Sequence, residues 1–216
     1  MTVRSYDASV VIEALSLERF EPYLRASARN PEAAVRLYVW NLSVSAALYE
    51  ALAIVEVVLR NALSAQLADR YSGLEGEWFD DPDGLLCGLA HADIATARRR
   101  ARKRDNVETP GRVISELSFG FWKYLLAKRY EATLWTRSLR FAFPNLQPQT
   151  RAVAYHALDE LHTLRNRIAH HEPVHGRDLM ADILTIYRVL NWIDTEVRAW
   201  AVSLSRLQPI VSSRPS

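Results

Sequence analysis

Residues 164–174 read LRNRIAHHEPV, the densest set of side chains in the chain able to move protons and hold phosphate. Arg165 and His170 lie five residues apart, near the end of a predicted amphipathic helix that Pro173 stops. Scission of an RNA strand by its neighbouring 2′-hydroxyl needs a proton removed, a proton delivered and charge on phosphorus stabilised. Histidine titrates close to neutral pH and can perform either transfer. Arginine stays charged and presents a planar fork to phosphate oxygens. Asn166 is expected to orient the imidazole or to hold the phosphate. The scheme asks for no metal and no cofactor. A zinc site from His170, His171 and His175 is the weaker reading, because Pro173 interrupts the helical alignment of the last two.

A helix over 149–171 has to position these groups. At 100° per residue it places Val153, Ala157, Leu161, Leu164 and Ile168 on one apolar stripe. His171 falls within the arc of that stripe and is expected to pack or cap. His162, Asn166 and His170 face the other way, with Arg165 at the border. A second constellation lies in ALAIVEVVLRN, residues 51–61, where Glu56 sits among apolar residues and needs a partner. Arg60, four residues on, offers a pair within the helix, which is the preferred reading. The alternative has Glu56 reach across to Arg165 or His170, leaving Arg60 and Asn61 to support the site.

Residues 98–104 read RRRARKR. Arg98, Arg99, Arg100, Arg102, Lys103 and Arg104 are either a phosphate-binding patch or a solvated helix end. Net charge is only +2, so overall charge does not argue for nucleic acid.

The 216 residues are 49% hydrophobic, enough for the core of one domain, expected over 1–208 with a disordered tail at 209–216. Seven glycines and nine prolines, mostly at the edges of periodic segments, predict an all-α bundle. A long helix is expected from Asn30-Pro31 to about Tyr71, with Leu42, Ala46, Tyr49, Leu52, Glu56, Leu59 and Leu63 along one stripe. Short helices are predicted near Asp7 and over 17–28, and another from Leu85 into the basic run. Thr109-Pro110 opens the next, and FWKYLLAKRYEATLW continues helical after Gly120. The last two run over 149–171 and 177–204. The longest apolar stretch, 51–59, is too short to span a bilayer and the start of the chain lacks a secretory pattern, so a cytoplasmic location without a membrane partner is expected. A single cysteine, Cys87, agrees with a reducing compartment.

In order along the chain stand LYVWN (37–41), EVVLRN (56–61), SFGFW (118–122), LW (134–135) and RNRIAHHEPV (165–174). This set resembles the Abi-like abortive-infection proteins, a family of the HEPN superfamily of helical domains, over most of the chain. The resemblance implies a HEPN-like bundle and a metal-independent endoribonuclease acting in phage defence or as a toxin. Arg165, Asn166 and His170 would be its catalytic set, with His171 as the alternative histidine. It also implies a homodimer, since such motifs pair across an interface and this chain holds one. An antitoxin or regulatory RNA is a further implied partner. Some HEPN toxins carry a modifiable tyrosine two residues past the histidine, but Glu172 stands at that position here. The competing expectation is a non-catalytic HEPN module that binds RNA or protein.

Overall fold

The structure, a computed structural model, describes residues 6–73, 75–102 and 107–215. Among them there is no strand, and ten α-helices follow one another: α1 (Ala8–Leu15), α2 (Leu17–Ala26), α3 (Pro31–Arg70), α4 (Gly88–Arg102), α5 (Pro110–Glu116), α6 (Phe119–Tyr124), α7 (Arg151–Ala169), α8 (Leu179–Ile193), α9 (Thr195–Leu204) and α10 (Leu207–Ser212). Most start on a side chain that accepts an otherwise orphaned backbone N–H. Asn30 takes the Ala33 N–H at 2.8 Å, and Ser118, Thr150, Asp178 and Asp194 do the same for α6 to α9.

Helix α3 runs 40 residues, about 60 Å at 1.5 Å per residue. No glycine or proline interrupts it after Pro31, and its core side carries Val44, Leu48, Leu52, Val55, Leu59, Leu63 and Leu67, all nearly inaccessible. It packs against α1, α2, α6, α7, α8 and α10. Its other side leaves Val39, Leu42, Tyr49 and Val57 exposed. The single stripe read from the sequence therefore mixes two faces. Leu52, Leu59 and Leu63 are buried, whereas Leu42, Ala46 and Tyr49 are not. An 18-residue window of α3 has mean hydropathy 1.9, so by length and composition it meets the requirement for crossing a bilayer, contrary to expectation. One third of that window (33%) is buried inside the fold.

Three other expectations are corrected. The aromatic segment after Gly120 is not one helix. Helix α6 starts before Gly120, at the Ser118 cap, and ends at Tyr124; a 3-10 turn (Lys128–Tyr130), a π turn (Glu131–Trp135) and a second 3-10 turn (Leu139–Ala142) come next. Burial of Trp122, Leu125, Leu126, Tyr130, Leu134 and Trp135 explains the change, because a straight helix cannot turn all of these inward. The segment 177–204 breaks at Asp194, whose side chain accepts the N–H groups of Glu196 and Val197 and starts α9. The tail after 208 is held as well: α10 docks on α3, with the Trp40 indole N–H donating to the Ile210 carbonyl at 2.7 Å and the Arg214 guanidinium over the Trp40 ring.

Candidate active site

The motif occupies the last turns of α7, which buries Ala154, Ala157, Leu158, Leu161, Leu164 and Ile168 and turns its opposite side outward. His170 is the C-cap, its N–H donating to the Asn166 carbonyl at 2.9 Å, and its side chain is exposed. Of the two roles expected for His171, it takes the capping one: its N–H donates to the Ile168 carbonyl at 3.0 Å in the turn that closes α7. Its backbone adopts φ 55, outside the helix, so the wheel no longer describes it, and its side chain is exposed rather than packed.

The backbone just past the motif is anchored from α3. The buried Asn41 carboxamide oxygen accepts the N–H groups of Val174 and His175, at 2.8 and 3.0 Å. From the other side, Arg19 on α2 donates to the His171 carbonyl at 3.1 Å. Beside Arg19 lies an open cavity of about 420 Å³, lined by Ser16, Glu18, Arg19, His170, His171 and Glu172 among others. It holds two imidazoles, one guanidinium and the carboxylates of Glu18 and Glu172, a set able to exchange protons. Arg19 carries no signal in the sequence, since it lies far from the motif along the chain.

Arg165 and Asn166 are held by other neighbours. Arg165 Nε lies 3.7 Å from Glu56 Oε2, an ion pair longer than a hydrogen bond, and that Nε is buried without a hydrogen-bond acceptor. This corrects the preferred reading of Glu56: it faces Arg165 across the α3–α7 contact. Arg60 instead donates to the Ser115 carbonyl at 3.5 Å, and Asn61 is exposed. Asn166 Nδ2 sits 3.3 Å from His162 Nε2. Arg167 pairs with Glu172 at 3.1 Å. No hydrogen bond or ion pair joins Arg165 to His170 among the described residues.

Around His162 the structure gathers groups that the sequence did not reveal. Its ring stacks on Phe119, centroids 5.9 Å apart and planes 9° from parallel. Lys123 Nζ approaches His162 Nδ1 at 3.4 Å and donates to Asp159 Oδ1 at 2.7 Å. Burial holds the His162 pKa below its ordinary value, and the charges of Lys123 and Arg165 push the same way.

Among the described residues, two of the six basic residues of the run are paired within the fold. Arg98 pairs with Asp80 and Glu108, and Arg102 with Glu108. Arg99 and Arg100 remain exposed. Lys103 and Arg104 lie outside the described residues. Cys87, at the start of α4, is half-buried. Burial alone would raise its thiol, but hydrogen bonds from the Tyr130 and Tyr124 hydroxyls and from the Ala90 and Leu89 N–H groups bring it down to about 6. Among the described residues no three His, Cys, Asp or Glu side chains gather closely enough to hold a metal ion. Compared with known proteins, the chain matches no family model, no curated protein and no solved structure.

Proposed function

We propose that this chain is a HEPN-like, metal-independent endoribonuclease of the Abi-like kind, cleaving RNA by attack of the 2′-hydroxyl and acting in phage defence or as a toxin. One observation carries the reading: an exposed histidine ends α7 in an open cavity, with Arg165 and Asn166 on the last turns of the same helix. His170 exchanges protons with the 2′-hydroxyl or the leaving 5′-oxygen. Arg165 neutralises charge on the phosphate. The Glu56–Arg165 contact, at 3.7 Å, is an ion pair without a hydrogen bond and holds the guanidinium loosely. Arg165 can therefore leave it for a phosphate, which accepts two charge-assisted bonds at once.

The reading includes a homodimer, because one motif per chain supplies half of a composite cleft. The exposed apolar row on α3, Val39, Leu42, Tyr49 and Val57, reaches the neighbourhood of Glu56 and supports association beside the site. A second reading is a binding module without chemistry. It is favoured by the fact that Arg165 and Asn166 each already have an intramolecular neighbour, Glu56 and His162.

Purified protein mixed with a mixed-sequence RNA separates the two. The proposal expects 2′,3′-cyclic phosphate and 5′-hydroxyl ends, persistence in EDTA, and loss of cutting in His170→Ala and Arg165→Ala with the melting curve retained. Binding without cutting supports the module instead.

A further inference from the structure

The row Asp159, Lys123, His162, Asn166 links one part of the fold to the motif through successive short contacts, and only Asn166 belongs to the motif. Each contact limits the next. Asp159 Oδ1 accepts from Lys123 at 2.7 Å, which fixes the ammonium where it meets His162 Nδ1 at 3.4 Å. An ammonium has donors only, so the ring nitrogen facing it has to accept. A neutral imidazole then carries its proton on Nε2, which lies 3.3 Å from Asn166 Nδ2, so that two donors face each other as the amide stands. An Nε2–H donor selects the carbonyl end of that amide, whose two ends exchange by a half-turn. After that half-turn the N–H2 end points away from the ring, with two donors for an anion.

We propose that Lys123 and His162 are positioning residues that turn the Asn166 carboxamide so that its N–H2 group is presented to the RNA phosphate; this rests on the ribonuclease reading above. The surroundings serve that arrangement. Phe119 stacks flat against the imidazole and removes its freedom to tilt. Gly120 is the residue beside it, and a Cβ added there would lie 3.2 Å from His162 Nε2, tighter than ordinary contact. Lys123 is itself largely sheltered, at 15% exposure, so its charge is weakly screened where it meets the ring. The ionisable groups facing His162 are Lys123 from α6, and Asp159 and Arg165 from α7. Two cations against one carboxylate, together with burial, keep the ring neutral and its Nε2 proton available as a donor.

The test reads the imidazole directly. Histidine labelled with ¹⁵N in the full-length protein gives the tautomer and titration of His162 from long-range ¹H–¹⁵N correlations, assigned by loss of its signals in His162→Gln. The wild type should show the Nε2–H tautomer, protonating only at lower pH than an ordinary histidine. In Lys123→Met the titration should move upward and the Nδ1–H form should appear, while Lys123→Arg should keep the wild-type pattern. Cleavage at saturating RNA should fall about 10–100-fold in Lys123→Met, the scale of a misplaced site group, with KM changing less than kcat. Should Lys123→Met fail to fold, Asp159→Asn releases the ammonium: the Nδ1–H form should appear and cleavage should fall to a smaller extent, while the titration, having lost the one carboxylate that raises it, should not move upward.

An Nδ1–H tautomer in the wild type, or a His162 titration and cleavage rate untouched by Lys123→Met, overturns the proposal. If the wild type cuts no RNA, the ribonuclease reading falls. The tautomer and titration still decide which end of Asn166 faces outward.

Discussion

Replacing Asn41 by alanine should loosen the motif from a distance. The carboxamide oxygen is the acceptor for two backbone N–H groups, Val174 at 2.8 Å and His175 at 3.0 Å, and Asn41 is only 3% exposed. Alanine leaves both donors without an acceptor, and Val174 is fully buried, so water cannot readily replace the lost oxygen. At about 1–3 kcal/mol for each orphaned donor, with the half-buried His175 at the low end, the loss comes to about 2–5 kcal/mol. For a chain of this size that corresponds to a fall in melting temperature of roughly 5–15 °C. Urea unfolding monitored by circular dichroism measures the first figure, and amide exchange at Val174 and His175 locates it. Asn41→Asp should lose less, because a carboxylate keeps the acceptor at the cost of burying charge. A fall below about 2 °C in Asn41→Ala, with both amides still protected, would refute the reasoning.

Other outcomes are expected on the same footing. His170→Ala should lower cleavage about 10²–10⁴-fold and Arg165→Ala about 10²–10³-fold, each with an unchanged melting curve. His171→Ala should also leave stability unchanged, since its side chain is exposed; whether it cuts RNA decides which imidazole transfers the proton. Arg99→Gln with Arg100→Gln should flatten the salt dependence of RNA binding, whereas Arg98→Gln should mainly lower stability by freeing Asp80 and Glu108. Because folding depresses the His162 pKa, the folded state resists its protonation. Its contribution is intact above the ordinary histidine value of 6.5 and is lost as pH falls below it, and His162→Gln should remove that part of the acid sensitivity seen in pH-dependent melts. Alkylation of Cys87 by iodoacetamide should accelerate with pH around a midpoint near 6, measured by intact mass.

Helix starts are legible where a cap and a proline stand together, as at Asn30-Pro31 and Thr109-Pro110, because both residues act locally. The apolar stripe of α7 is legible for the same reason: residues four apart share a face, and Leu161, Leu164 and Ile168 are indeed buried. Asp194 is not, since a single aspartate in a periodic run reads equally as a solvated position until its side chain is seen to cap α9. His171 escapes the wheel because wheel geometry ends where φ turns positive. For Glu56 the local rule points to Arg60, and only the packing of α3 on α7 brings Arg165 near. Lys123 and Phe119 carry no signal as partners of His162, because contacts between separate helices leave no spacing to read, whereas Asp159 stands three residues before it on α7.

The hydrogen bonds that the N–H groups of residues 174 and 175 donate to Asn41, and that Arg19 donates to the carbonyl of residue 171, have a consequence for biosynthesis. The first half of each tie leaves the ribosome early and the second half only after most of the chain has been made. At about 5–20 residues per second, that interval lasts on the order of ten seconds. Throughout it, the newly made α3 exists without α7 and without the loop that seats His170. A message cut or stalled before the codons for these residues yields a helical fragment with no cavity and no motif. If the chain destroys RNA in its own cell, its own transcript is safe from each molecule until that molecule is nearly complete.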